Sequence, residues 1–154
     1  MCIRDSFGFA FNKRDILIVS EAAGSAASSY RFNERSATPI VVTPSLANGQ
    51  GAACWIAVTP DGRFAFSANA ATSTVSSFAV ARNGQLSLVA GAAGVTGANA
   101  GAIDMAVSPD GRQLSVFASR GLQIVSFTIQ PGGTLSPQGG VGGMPAGSAG
   151  LAAN

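Results

Sequence analysis

The chain has 154 residues, which is enough for one ordinary domain with its own hydrophobic core. Hydrophobic residues make up 47% of the sequence and charged residues only 10%, which excludes a chain kept disordered by its charge. The formal net charge of +2 comes from scattered side chains, so the basic stripe typical of nucleic-acid binding is missing, and no apolar run approaches the roughly 20 residues that span a bilayer.

The chain begins with six residues, MCIRDS, that match nothing in the rest of the sequence. We interpret residues 1–6 as a non-native leader and leave them out of the fold prediction. Residues 7–50 are predicted to form a degenerate first unit, with an inner strand at 8–11 and a second strand at 16–20. Tyr30 lies in its third strand, and the segment Asn12-Lys13-Arg14 replaces the tight turn of the later units.

Two clearer copies of this unit follow at a spacing of 49 residues, since Ala57 matches Ala106 and Phe78 matches Phe127. We predict units at 51–98 and 99–146. Their inner strands lie at 55–59 and 104–108, their second strands at 64–68 and 114–118, with a Pro-Asp-Gly turn between. An alternating third strand, a glycine hairpin turn and an outer strand from Leu86 or Leu135 complete each unit. The glycine-rich segment from Gly91 is predicted to be a loop between units.

Residues 147–154 repeat the lead-in to the third unit and predict the start of a closing inner strand. A four-stranded repeat with a period of roughly 40–50 residues is typical of β-propeller blades. The predicted fold class is therefore all-β: a partial β-propeller of three four-stranded antiparallel blades. Because propellers close with about 4–8 blades, we expect the chain to associate either with the remaining blades of a longer protein or with copies of itself.

Several segments resemble one propeller family. They are the PDGR turn at 60–63, SANA at 67–70, VSSF at 75–78, FGFAF and LIVSEA within 7–22, and GGMPAGSAGLAA at 142–153. Together they resemble the seven-bladed lactonase family, which is related to 6-phosphogluconolactonase and to fungal carboxymuconate cyclase. The resemblance implies a seven-bladed propeller, of which this chain would be the C-terminal three blades. It also implies a cleft at one end of the central channel, where the best-known members hydrolyse a sugar lactone.

Two carboxylates are the catalytic candidates, because lactone opening needs a base near the carbonyl group. Asp104 lies within an apolar strand, where a carboxylate is costly unless it is paired or hydrogen-bonded; the alternative is that it caps backbone N–H groups at the channel. Glu21 ends a second strand, and Asn69 and Ser119 are predicted to take the same place in the other blades. These three residues either form a polar ring at one end of the channel or are solvated loop residues.

Four residues are candidates for substrate binding: Arg120, Asn69, Trp55 and Ser119. Arg120 could bind an anionic lactone, and Trp55 could cover a sugar ring. The alternatives are an exposed loop arginine and a core aromatic between blades. Related propellers often carry a histidine before the inner strand, whereas this sequence has Trp55 and Asp104 there and no histidine at all. The sequence predicts neither a metal site nor a cofactor.

Two functional hypotheses follow. In the first, the parent propeller hydrolyses a sugar lactone at the channel mouth, and the three-bladed chain alone is inactive. In the second, it is a non-catalytic propeller that presents its loops to a protein or a glycan. Low charge and abundant Ser, Thr, Gly and Ala fit a periplasmic or secreted scaffold.

Overall fold

The computed structural model describes residues 6–33, 35 and 38–153. These residues form strands and no helix, in three four-stranded antiparallel sheets, as the sequence predicted. In chain order the strands are β1 (Ser6–Phe11), β2 (Leu17–Glu21), β3 (Ala26–Phe32), β4 (Pro39–Ala47), β5 (Ala53–Val58), β6 (Phe64–Asn69), β7 (Thr74–Val80), β8 (Leu86–Val95), β9 (Ala102–Val107), β10 (Gln113–Ala118), β11 (Gln123–Ile129) and β12 (Leu135–Gly142). Among the described residues there is accordingly no apolar helix long enough to cross a bilayer.

Each sheet is a meander in which neighbouring strands follow one another in the chain. We call the sheets of β1–β4, β5–β8 and β9–β12 blade one, blade two and blade three. The turn after β5 is tight because the Asp61 carboxylate accepts hydrogen bonds from the Thr59 hydroxyl, at 2.6 Å, and from the Arg63 N–H, at 3.0 Å. In blade one Asn12 stabilises the corresponding turn, since its Oδ1 accepts hydrogen bonds from the N–H groups of Arg14 and Ile16.

Most of the predicted strands are longer in the structure, whereas β2 keeps its predicted length of five residues and is shifted by one residue, to Leu17–Glu21. The inner strands β5 and β9 begin two residues earlier, because pairing continues to Ala53 and Ala102. The prediction of a loop from Gly91 was wrong for residues 91–95, because β8 runs on to Val95 and Gly94 pairs with Val75, whereas residues 96–101 do connect blade two to blade three without forming a strand. Backbone pairing needs no side chain, so a glycine-rich run can extend a strand beside a partner. Residues 1–5 of the predicted leader lie outside the described residues, whereas Ser6 begins β1.

The blades stack face to face in chain order. We call the face of a blade that meets the preceding blade its upstream face, and the opposite one its downstream face. Ile16, Ile18 and Ala27 of blade one pack against the upstream face of blade two, which includes Ile56 and Phe78. A second core joins the downstream face of blade two to blade three; its buried members are Ala57, Phe66, Ala68, Val75, Ala102, Met105, Leu114, Val116 and Phe127.

A serine at one register position fastens each hairpin turn to the blade before it. Ser29 of blade one donates to the Gly84 carbonyl of blade two at 2.7 Å, and Ser77 of blade two donates to the Gly133 carbonyl of blade three at 2.6 Å. Gly84 has a φ of +92° and lies so close to Ile16 that a Cβ would be 2.8 Å from its side chain. Turn geometry and close approach therefore both require glycine there.

The inner strands of successive blades lie side by side, β1 against β5 and β5 against β9. At Gly8 a Cβ would be 2.6 Å from the Cα of Trp55, so β1 approaches the backbone of β5 only because residue 8 is glycine. The Ser20 hydroxyl accepts the Gly8 N–H at 2.9 Å and lies 3.0 Å from the carbonyl oxygen of Cys54. Such close packing brings side chains of neighbouring inner strands into one cleft.

Candidate functional site: a cleft between the inner strands

A cleft of about 520 Å³ opens where the inner strands of the three blades converge. Its walls come from β1, β5, β9 and the C-terminal segment: Phe7, Cys54, Trp55, Ile103, Asp104, Ala149 and Gly150. Trp55 and Asp104 occupy the same register position of successive blades, since they pair with Ala68 and Phe117 of the second strands. Adjacent inner strands therefore place the indole and the carboxylate at one apolar cleft.

Asp104 is buried, with 5% of its surface exposed, while Trp55 keeps 39%. Burial raises the pKa of the Asp104 carboxyl above its usual range, opposed by hydrogen bonds from the N–H groups of Met105 and Leu151. The Met105 bond is 2.7 Å long. Asp104 thus caps backbone N–H groups, as one sequence interpretation held, and its raised pKa also makes the carboxylate a stronger base.

The C-terminal segment enters the cleft by the path that leads into each inner strand. Positive φ angles recur just before the inner-strand positions, at Ala52, Gly101 and Gly150. The Met144 N–H donates to the Leu122 carbonyl at 3.0 Å, as the Thr96 N–H does to Ser73 one blade earlier. Residues 143–153 nevertheless form no strand, and residue 154 of the predicted closing strand lies outside the described residues.

Glu21 is not among the residues that line this cleft. It ends β2 as predicted, and its two carboxylate oxygens accept hydrogen bonds from the hydroxyls of Ser28 and Ser45 within blade one. The structure therefore does not bring the two catalytic candidates together at this cleft. Glu21 instead holds β3 and β4 to the end of β2.

Asn69 is fully buried inside blade two. Its Oδ1 accepts the Asn48 amide at 2.9 Å, and its Nδ2 donates to Ser76 at 2.9 Å and to Thr74 at 3.1 Å. Asn48 follows the last strand of blade one, so this network joins two blades. The structure leaves the Asn69 amide no solvent-facing surface for a substrate.

The prediction that Ser119 takes the place of Asn69 was wrong. Ala118 occupies that place, because it pairs with Ala102 and Gln123 as Asn69 pairs with Ala53 and Thr74. Ser119 lies one residue later, where its N–H donates to the Gly101 carbonyl at 2.9 Å. The constant offset of 49 residues maps Asn69 onto an apolar residue, so the three predicted positions form no continuous polar ring.

Arg120 fastens two loops instead of entering the cleft. Its Nε donates to the Asn99 carbonyl at 2.9 Å and its Nη2 to the Ala70 carbonyl of blade two at 2.7 Å. Nothing in the sequence marks Phe7, Cys54 or the C-terminal segment as walls of the cleft; the only signal there is the repeat position shared by Trp55 and Asp104. Burial raises the pKa of the Cys54 thiol, which keeps it protonated. Within the described ranges no three acidic or cysteine side chains gather as metal ligands do.

No protein-family model and no curated protein matches the sequence. Solved structures do. A candidate 6-phosphogluconolactonase from Bacteroides uniformis aligns with a TM-score of 0.76 at 18% identity, over 88% of this chain and 40% of its own. A protein of unknown function from Desulfotomaculum acetoxidans aligns with a TM-score of 0.79 at 20% identity, over 93% of this chain and 44% of its own. The periplasmic gluconolactonase of Pseudomonas aeruginosa aligns with a TM-score of 0.53 at 17% identity, over 94% of this chain and 59% of its own.

The chain thus spans less than two thirds of the length of these neighbours. At such identities the likeness concerns the fold. Three antiparallel four-stranded sheets that stack in chain order, and that superimpose on these proteins, give this chain the fold of part of a β-propeller.

Proposed function

We propose that the chain is part of a lactonase-like propeller that binds and hydrolyses a sugar lactone at the cleft between its inner strands. The observation that carries this proposal is that the side chains of Asp104 and Trp55 line the same cleft. A carboxylate of raised pKa beside an aromatic face suits a neutral sugar ring that must be opened by water. Two fold neighbours, a candidate 6-phosphogluconolactonase and a gluconolactonase, support the same substrate class.

The residues of the cleft suggest a division of labour. The indole of Trp55 would stack on the C–H face of the sugar ring. The Asp104 carboxylate would take a proton from water as the water oxygen attacks the lactone carbonyl carbon. The ring C–O bond then breaks, and Asp104 returns the proton to the ring oxygen, which leaves as the hydroxyl of the hydroxy acid. We assign neither Glu21 nor Arg120 to the reacting centre, because neither lines the cleft and each is bonded to groups elsewhere in the blades.

The donors that stabilise the carbonyl oxygen are expected from further blades. Three blades cover 40% of the Bacteroides protein, a proportion that fits a ring of seven. On this proposal the present chain contributes the base and the aromatic platform, and the complete ring performs hydrolysis. We therefore expect the three-bladed chain to bind a lactone without turning it over efficiently.

A second candidate function is non-catalytic binding of a protein or glycan by a periplasmic or secreted propeller. The observation that favours it is that the polar candidates outside the cleft are occupied. Glu21 accepts from two serines, Asn69 is enclosed in an amide network, and Arg120 binds two carbonyls. The chain also lacks histidine, the commonest general base.

Because Trp55 is the sole tryptophan of the chain, its fluorescence reports on the cleft directly. Titration with glucono-δ-lactone should give a saturable change in Trp55 emission. Asp104→Asn should weaken the apparent affinity about fivefold to tenfold, since a charge-assisted hydrogen bond is lost. The matched control Glu21→Gln, also an acid-to-amide change, should leave affinity unchanged.

In a protein with the complete ring, Asp104→Asn should also lower lactone hydrolysis by about 10²–10⁴, the usual contribution of a positioned base. Emission that does not respond to millimolar lactone, together with unchanged hydrolysis in Asp104→Asn, would contradict the lactonase proposal and leave the binding scaffold.

A further inference from the structure

Blade one exposes aromatic side chains on its upstream face. Phe9 is 66% exposed, Phe11 53% and Phe32 38%; we call these three residues the aromatic face. Ile56 is the residue of blade two that corresponds to Phe9. Each lies three residues after the first paired residue of its inner strand, and they pair with Val19 and Ser67 of the second strands. Ile56 is only 2% exposed. The same register position is thus buried where a preceding blade exists.

The upstream faces of blade two and blade three are both covered by the preceding blade, so two examples of such a contact are present. The downstream face of blade one supplies Ile16 and Ile18, and that of blade two supplies Phe64 and Phe66. Each also provides the serine that fastens the next hairpin turn, Ser29 or Ser77. An upstream face in this chain is therefore met by two apolar side chains, one at or just before the start of the second strand and one two residues later, and by a serine of the third strand.

Blade three keeps the serine and loses the apolar side chains. Ser126 pairs with Ser115 as Ser77 pairs with Phe66. At the place of Phe64 the exposed residue Gln113 follows the turn. The rest of this downstream face is occupied by the C-terminal segment, whose residues from Met144 to Leu151 form a cavity wall with Phe117 and Ile124. The face is thus polar in one half and covered in the other.

We propose that the aromatic face of blade one is the docking surface for a further four-stranded blade, and that this partner carries apolar residues at the Ile16 and Ile18 positions and a serine at the Ser29 position. A second copy of this chain is the wrong partner. Its blade three would bring Gln113 and Ser115 to the aromatic face in place of two apolar side chains, and burying the Gln113 amide without a partner is costly. The polar half and the C-terminal segment together act against self-association.

The test is to give the chain the missing partner features and measure association. In the full chain, Gln113→Phe and Ser115→Phe copy Phe64 and Phe66. Leu151→Pro removes the N–H whose hydrogen bond Asp104 accepts, and with it one of the contacts that hold the C-terminal segment. Sedimentation velocity should show wild type and Leu151→Pro alone as monomers. The triple variant should form concentration-dependent head-to-tail oligomers, and adding Phe9→Ser and Phe11→Ser should return it to the monomer.

Two results would overturn the proposal: a triple variant that is folded by circular dichroism yet monomeric, or a wild-type chain that already associates through the aromatic face. If the triple variant does not fold, the proposal is tested by dye binding to the wild-type chain and to its Phe9→Ser, Phe11→Ser variant. The wild-type chain should bind the apolar dye anilinonaphthalene sulfonate, and Phe9→Ser with Phe11→Ser should remove most of that binding. Dye binding that is unchanged in this double variant would show that the face is not an available apolar surface.

Discussion

The junction between blades one and two and the junction between blades two and three use the same contacts in their middle and different contacts at one end. In both, an aromatic of the third strand is buried in the core, Phe78 in one and Phe127 in the other. At the loop end, the first junction has the buried hydrogen-bond network of the Asn48 and Asn69 amides. The second has instead the exposed side chain of Arg120, which donates hydrogen bonds to two backbone carbonyls.

This difference separates scaffold from function. What recurs at each junction, namely the apolar core, the serine and the glycine turn, specifies how blades stack. What occurs once is free to serve a single site. Asp104 belongs to the second class, since the same register position is Trp55 in blade two and glycine in blade one.

The largest effect is expected at the two recurring aromatics. Phe78→Ala and Phe127→Ala each leave a cavity in a core where the ring is almost fully buried, so each should lower the free energy of unfolding by about 3–5 kcal/mol. Urea denaturation of the two variants measures both losses. The comparison predicts similar values, and a loss below about 1 kcal/mol for one variant would mean that its junction is not packed as described.

A smaller effect is expected at the two residues that distinguish the junctions. Asn69→Ala leaves buried partners such as Ser76 and the Asn48 amide unsatisfied and should cost about 1–3 kcal/mol. Arg120→Ala frees carbonyls at an exposed site, where water replaces the guanidinium, so its cost should stay below about 1 kcal/mol. The same denaturation experiment checks both, and a reversed order would refute the distinction between a structural network and a surface tie.

The repeat could be predicted from the sequence because the turns carry its physical signature. Pro-Asp-Gly and Asn-Gly fix local backbone geometry by themselves, and the alternation of Val75 to Val80 marks one strand. The length of β8 could not be predicted in this way. Its glycines from Gly91 onward are suited to a loop, and only the neighbouring strand β7 makes them part of a sheet.

The site was predictable only in part. A carboxylate in an apolar strand singled out Asp104, and the shared repeat position linked it to Trp55. Glu21, Asn69 and Arg120 looked equally available in the sequence, because nothing there shows which hydroxyls and carbonyls of other strands will occupy them. Such long-range hydrogen bonds depend on the stacking of blades, which the residue types alone do not reveal.

The stacking itself is tested most directly by amide hydrogen exchange across the whole chain. Blade two is covered on both faces, whereas blades one and three are each covered fully on one, so exchange should be slowest in β6 and β7. Amides of β1 and β12 should exchange fastest among the strands. Equal protection in all three sheets, or slowest exchange in blade one, would contradict a linear stack of three blades.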